Sequence, residues 1–132
     1  DLGIVDSVDF IPGLQKEELN KVYSLANLFV FTSLIENSPN ILLEAMSHSI
    51  PTISTDNDPM PEFGGDAIEY IEANDDVALA IKIEYLLNDP VLLDEMAGRS
   101  KEQAKLFSWD TFTSDVIKSC YLVSKPTLDS TC

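Results

Sequence analysis

The sequence predicts an α/β fold in which helices cover a parallel sheet. Four short runs of apolar and β-branched residues have the length of strands, and segments with helical spacing separate them. One run, Leu28-Phe29-Val30-Phe31, is apolar at every position, which is typical of a strand buried on both faces of a parallel sheet. Strands that alternate with helices over such short intervals favour the α/β class.

The predicted strands are bounded by residues that turn the chain or end an apolar run. The first stops at Pro12-Gly13, and the second stops at Thr32-Ser33. The third runs into DNDPMPEFGG, which predicts a long turn-rich loop. In chain order the strands comprise residues 8–11, 28–31, 51–55 and 67–71.

The predicted helices show apolar residues at three- and four-residue spacing. The second helix has Ser38 as its expected N-cap and Pro39 at its first helical position, where a missing N–H costs nothing. In chain order the helices comprise residues 14–26, 39–48, 75–89, 91–107 and 108–124, and residues 125–132 form a loose tail.

Composition narrows the class of partner. The 132 residues hold 23 acidic and 8 basic side chains, a net charge of −15, which disfavours nucleic acid and anionic membranes as partners. Cys120 and Cys132 lack a CxxC spacing and His48 is a single histidine, so no metal site is expected. Free thiols indicate a reducing, cytoplasmic compartment. No apolar stretch approaches the roughly 18 residues of a membrane span.

Two glutamates, Glu36 and Glu44, bracket the segment ENSPNILLEAM. On a helix over 39–48, Glu44 shares one polar stripe with three other residues, and such a stripe is typical of a solvated helix face. The stripe consists of Asn40, Glu44, Ser47 and His48.

The position of this helix favours a second interpretation. It follows a buried strand, so its N-terminus is expected at the carboxyl edge of the sheet, where ligands of open α/β sheets bind. Free N–H groups at a helix N-terminus favour phosphate. Glu44 would then accept hydrogen bonds from the vicinal hydroxyls of a sugar, and Glu36 would reach a second polyol.

Five segments of the chain occur in the order and spacing of one enzyme family. They are VDFIPGLQKEELNKVYSLANLFVFTS, ENSPNILLEAM, IPTISTD, Pro61-Glu62 with Gly64-Gly65-Asp66, and the final FSW. They resemble a strand–helix–strand unit, a Glu-x7-Glu motif, the next strand, the loop that closes a donor site, and the entrance to a last helix. The chain thereby resembles the C-terminal part of family-4 retaining glycosyltransferases of the GT-B, two-Rossmann-domain architecture.

The resemblance implies a role for each matching residue. Glu44 would bind the ribose hydroxyls of a nucleotide, and Glu36, as the catalytic residue, would contact the donor sugar. The backbone around Ser38, Asn40 and Ile41 would hold the nucleotide-sugar, and the base would lie beside Gly13 and Leu14.

The resemblance also implies the reaction. A sugar would pass from a UDP- or GDP-linked donor to an acceptor hydroxyl with retained configuration, without metal or other cofactor, in polysaccharide biosynthesis. Residues 1–107 would form a truncated Rossmann-like nucleotide-sugar-binding domain with a doubly wound parallel sheet. A saccharide or lipid-linked acceptor would bind through an N-terminal domain absent from this sequence. The chain alone is therefore expected to be inactive, and its exposed sheet edges are expected to self-associate.

Two departures from the family pattern keep an alternative open. Asp58-Pro59 stands where a Gly-Gly pair lets the backbone approach the donor, and His48-Ser49 stands where a helix-ending glycine is usual. The acidity and the Asp58-Pro59 loop favour a non-catalytic α/β binding or interaction module. A dehydrogenase and a serine hydrolase are disfavoured, because the sequence has neither GxGxxG nor GxSxG.

Overall fold

Three parallel strands form the sheet of this computed structural model, which describes residues 3–124. The strands are β1 (Phe29–Phe31), β2 (Thr52–Thr55) and β3 (Glu69–Ile71), arranged in the order β1-β2-β3. Phe29 pairs with Thr52, and Ile53 pairs with Glu69. The predicted α/β fold with a parallel sheet is confirmed.

The five predicted helices begin and end within three residues of the predicted positions. Acidic side chains start two of them, because Asp75 accepts a hydrogen bond from the Ala78 N–H at 2.8 Å and Asp89 accepts one from Leu92 at 3.0 Å. The helices are α1 (Lys16–Leu25), α2 (Asn40–Ser47), α3 (Met60–Gly64), α4 (Asp76–Leu87), α5 (Pro90–Ala104) and α6 (Trp109–Ser124), with short 3₁₀ segments at Val5–Ser7, Gly65–Ala67 and Lys105–Phe107.

Alternation along the strands divides the core between the two faces of the sheet. Phe31 and Tyr70 pack with α2 and α3 on one face, around Leu42, Met46 and Met60. The other face carries Ile53 and Ile71 against α4 and α5, around Leu86 and Met96. Every residue of β2 is buried because this central strand is covered on both faces.

The predicted strand at 8–11 is wrong. These residues have no regular structure, and the side chain of Phe10 is 92% exposed. The backbone of Val8 is extended, but within residues 3–124 no strand lies beside it to complete a ladder. Residues 3–124 likewise leave the outer edge of β1 unpaired, and Val30 is 37% exposed rather than buried.

The stretch DNDPMPEFGG was predicted as a loop and contains α3, which spans Met60–Gly64. Pro61 lies in the first turn of α3, where a backbone N–H has no intrahelical acceptor and proline is tolerated. Gly65 ends the helix at φ +52°, a conformation that glycine adopts without strain. The turn residues therefore mark both ends of a short helix.

Two predictions fall on the C-terminal residues. The loose tail at 125–132, with Cys132, lies outside the described residues. Cys120 on α6 is a free, exposed thiol. None of the helices in the described part of the chain is long and apolar enough to cross a membrane.

Candidate functional site

The N-terminus of α2 lies at the carboxyl edge of the sheet. The strand β1 ends at Phe31, and an eight-residue loop leads to Asn40 at the start of α2. Pro39, with ψ 65°, is the N-cap, so the prediction of Ser38 as N-cap is wrong by one residue. The Ser38 hydroxyl instead contacts Asn40 Oδ1 at 3.5 Å. No capping side chain therefore occupies the first N–H groups of α2.

The loop that carries Glu36 is tied to the end of β2. Thr55 donates a hydrogen bond from its hydroxyl to the Ser33 carbonyl at 2.6 Å, and the Asn57 amide donates to the Leu34 carbonyl at 3.1 Å. Glu36 itself is half-buried. The loop between β1 and α2 is thus held by side chains from the neighbouring strand.

Glu44 lies on the exposed face of α2 and contacts α1. The Tyr23 hydroxyl donates a hydrogen bond to Glu44 Oε2 at 3.4 Å. The Tyr23 ring is 7% exposed, meets Phe29 edge-on and lies 4.9 Å from the His48 ring. Burial raises the pKa of Tyr23, and the Glu44 carboxylate raises it further, so the phenol remains a donor.

The contact between Tyr23 and Glu44 was not predicted from the sequence. In the sequence Tyr23 fits an apolar position of α1, and the one signal of a further role is the polar hydroxyl at the tip of its ring.

The remaining predicted residues are mostly exposed. Gly13 and Leu14 precede α1, and roughly 12 Å of helix separates that turn from Tyr23. Among residues 3–124, no hydrogen bond joins this turn to either glutamate. The predicted polar stripe is confirmed, because all four of its residues are exposed. The binding and catalytic roles stay predictions for Glu36, Glu44, Ser38, Asn40, Ile41, Gly13 and Leu14.

A cavity of about 390 Å³ opens at the carboxyl ends of the strands. The cavity was not predicted from the sequence, and none of the predicted site residues lines it. Asp75 and Asp76 make its wall acidic, which disfavours phosphate there. Its lining consists of Thr32, Leu34, Thr55, Ile71, Asn74, Asp75, Asp76 and Leu79.

The end of α2 adopts the strained cap that its sequence implied. Ser49 has φ +61°, in the left-handed region. Its N–H bonds to the Met46 carbonyl at 2.9 Å, and the Ile50 N–H bonds to the Ala45 carbonyl at 3.3 Å. These two bonds form a Schellman motif, in which glycine is the usual residue at the position of Ser49.

The charged groups around the site are mainly acidic. Asp56, Asp58 and Glu62 are exposed on the segment that follows β2. Lys82 lies on α4, whose spacing alone indicates a solvated lysine, but the side chain is half-buried and pairs with Glu69 of β3 at 2.5 Å. Residues 3–124 hold no cluster of three His, Cys, Asp or Glu side chains arranged for a metal ion.

Comparison with known proteins gives the family. Residues 1–107 match the family described as "Glycosyl transferases group 1". The chain is 33% identical over 107 residues to O-antigen chain mannosyltransferase B of Escherichia coli, covering 81% of this chain and 28% of that protein. It is 27% identical over 115 residues to D-inositol 3-phosphate glycosyltransferase of Streptomyces avermitilis, covering 86% of this chain and 25% of that protein.

A solved structure shares the fold. Sucrose-phosphate synthase from Thermosynechococcus elongatus aligns with a TM-score of 0.80 at 24% identity, over 92% of this chain and 32% of that one. The chain thus spans about a quarter to a third of these proteins. Because the family match covers residues 1–107 of the 132, the chain belongs to the group 1 glycosyltransferases.

Proposed function

We propose that this chain is the donor-binding part of an enzyme that moves a sugar from a nucleotide-sugar to an acceptor hydroxyl. In this proposal the reaction retains the anomeric configuration and needs no metal ion. The observation that carries it is the family match over residues 1–107. The start of α2 at the carboxyl edge of the sheet supports it, because ligands of open α/β sheets bind at that edge.

The chemistry suits the N-terminus of α2. Cleavage of the donor's glycosidic bond leaves negative charge on the diphosphate, and N–H groups aimed from a helix N-terminus stabilise such charge. Glu44 lies one turn into the helix, where its carboxylate would accept two hydrogen bonds from the ribose diol. Glu36, in the loop held by Thr55, would contact the donor sugar.

The relatives suggest the class of donor and acceptor. One relative is named as an O-antigen chain mannosyltransferase, which favours a UDP- or GDP-linked hexose and a saccharide or lipid-linked acceptor in polysaccharide biosynthesis. The acceptor would bind to a part of the enzyme outside this sequence, since the chain spans 28% of that relative. We place the activity in the cytoplasm.

A second candidate function is a non-catalytic binding or interaction module. The exposed Asp56 and Asp58 favour it, because carboxylates beside a diphosphate would repel it. The net charge of −15 also favours a non-catalytic module, since it repels the diphosphate as well. Glu36 and Glu44 would then bind no ligand, and substitution of either glutamate would leave nucleotide binding unchanged.

Titration of UDP and GDP into the complete enzyme tests the proposal. Glu44→Gln should weaken binding by roughly 1.5–3 kcal/mol, tenfold or more, because a charge-assisted hydrogen bond to the diol is lost. Glu84→Gln, on the exposed face of α4, is the matched control and should bind as the wild type does. Equal affinities for the two variants would overturn the ribose-binding role.

Glu36→Gln separates the two glutamates. Because Glu36 is assigned to the sugar and not to the nucleotide, this variant should bind UDP or GDP normally and transfer sugar much more slowly. Normal transfer by Glu36→Gln would remove Glu36 from the catalytic residues.

A further inference from the structure

We propose that Tyr23 is a positioning residue: it holds one oxygen of the Glu44 carboxylate and thereby orients the other toward the diol of a nucleotide. This inference rests on the proposed function, in which Glu44 binds the ribose. The observation behind it is the hydrogen bond from the Tyr23 hydroxyl to Glu44 Oε2 at 3.4 Å.

Tyr23 is a rigid donor. Its side chain is 7% exposed and belongs to the cluster formed with Ala45 and Ile50. The ring meets Phe29 edge-on at 6.4 Å between centroids and lies against His48 at 4.9 Å. A ring packed on several sides has one orientation, so its hydroxyl lies at a fixed point beside α2.

Glu44 needs such a support. It is exposed on α2, and an exposed glutamate samples many rotamers, of which few present the carboxylate to a given ligand. In the described part of the chain, the contact from Tyr23 is the one side-chain hydrogen bond that reaches its carboxylate. The apparent affinity for a ligand is proportional to the fraction of molecules in which the carboxylate has the competent orientation. A contact that increases this fraction therefore raises the affinity by the same factor.

The hydrogen-bond capacity of the pair fits this role. A phenol donates one hydrogen bond, whereas an ionised carboxylate accepts up to about four. After Tyr23 has occupied Oε2, the oxygen Oε1 is left to accept from a hydroxyl. Burial and the neighbouring carboxylate raise the pKa of Tyr23, which keeps the donor hydrogen in place.

A merely structural role makes a different prediction. The same contact joins α1 to α2, and loss of such a tether would disturb the N-terminus of α2 and every ligand held there. A positioning role affects only ligands that offer a diol to Glu44. Nucleotides with and without ribose hydroxyls therefore distinguish the two roles.

The experiment is a double-mutant cycle in the complete enzyme. UDP, GDP and their 2′,3′-dideoxy forms are titrated into the wild type, Tyr23→Phe, Glu44→Gln and the double variant. Tyr23→Phe keeps the ring packing and should weaken UDP or GDP about threefold to tenfold. When it is combined with Glu44→Gln, it should cause no further loss of affinity. It should leave the affinity for the dideoxy forms unchanged. Tyr85→Phe, exposed on α4, is the matched control and should bind normally.

Each other outcome has a distinct meaning. Normal binding of UDP and GDP by Tyr23→Phe, with weakened binding by Glu44→Gln, would overturn the positioning role and leave the proposed function intact. Equal losses with the ribose and dideoxy forms would assign Tyr23 a structural role and overturn the inference. Normal binding by Glu44→Gln would overturn the ribose site itself, and the inference with it.

Discussion

The Thr55 hydroxyl donates a hydrogen bond of 2.6 Å to the backbone carbonyl of Ser33. Thr55 is the last residue of β2, and Ser33 is the second residue of the loop that leads from β1 to α2. The hydroxyl is shielded from water, since Thr55 is 1% exposed. The sheet therefore fixes the start of the loop that carries Glu36.

Thr55→Val should lower the free energy of unfolding by about 1–2 kcal/mol. Valine has nearly the same shape, but it leaves the Ser33 carbonyl without its donor, and an unsatisfied, partly buried acceptor costs this much. Chemical denaturation measures the change. Thr113→Val on exposed α6 is the control and should stay within about 0.5 kcal/mol of the wild type. Similar stabilities for the two variants would show that the tether contributes nothing.

Ser49→Gly should raise the free energy of unfolding by about 0.5–1 kcal/mol. Ser49 has φ +61°, and glycine removes a left-handed strain of about 1–2 kcal/mol while losing more entropy on folding. Ser49→Val should destabilise, because a branched side chain fits this conformation worst. Ser114→Gly, inside α6, is the control and should destabilise slightly. A Ser49→Gly protein that is less stable than the wild type would show that the backbone of Ser49 is not strained.

Tyr70 should make stability depend on pH at the alkaline end. Its hydroxyl donates to the Gly65 carbonyl at 2.9 Å, and burial, with the charge of Asp66, raises its pKa to about 12. The phenol of an unfolded chain has a pKa of about 10. The protonated Tyr70 therefore makes its full contribution to the free energy of unfolding below pH 10. This contribution is lost as the pH rises from about 10 to about 12.

Tyr70→Phe is the comparison for this effect. The stability difference between wild type and variant should shrink over the same pH interval, and the tyrosinate absorbance titration should lose its step near pH 12. An unchanged titration in Tyr70→Phe would assign that step to another tyrosine.

The 132 residues by themselves should transfer no sugar. They span 28% of the mannosyltransferase relative, and in the proposed function the acceptor would bind outside them. Released nucleotide is measured after incubation with UDP- and GDP-sugars, with the complete enzyme as positive control. Turnover above the background rate would place the whole catalytic apparatus in this chain.

The same 132 residues should associate through the unpaired edge of β1. Exposed backbone N–H and C=O groups on an edge strand recruit another strand, and Val30 is 37% exposed there. Light scattering should show oligomers at high concentration, and Val30→Lys should reduce them, because a charge on an edge strand blocks pairing. A monomer at every concentration would exclude association by this edge.

The sequence predicted the elements whose signals are local. The apolar run of β1 and the helical spacing of α4 and α5 each lie within one segment. The strand at 8–11 failed because apolar composition cannot reveal whether a neighbouring strand is present to pair with it. The helix α3 was missed because it has only five residues and prolines and glycines stand at its two ends, a composition that is typical of a loop.

The candidate site was predictable only as far as its position. The place of α2 at the sheet edge follows from the alternation of strands and helices, and the exposure of its polar stripe follows from helical spacing. The contacts of Tyr23 with Glu44 and of Thr55 with Ser33 join residues 21 and 22 positions apart. Such pairs depend on how α1, α2 and β2 pack, which no periodicity within one segment specifies.

The strand order β1-β2-β3 has a consequence for how the chain folds. Phe29 pairs with Thr52 and Ile53 with Glu69, partners that lie only 23 and 16 positions apart. The entropy of closing a loop grows with its length, so these crossovers close at modest cost. During synthesis from the N-terminus, β1 and β2 can pair as soon as β2 has emerged. We expect β3 and then α4 to add to this unit in turn, so that the sheet grows in the direction in which the chain is made.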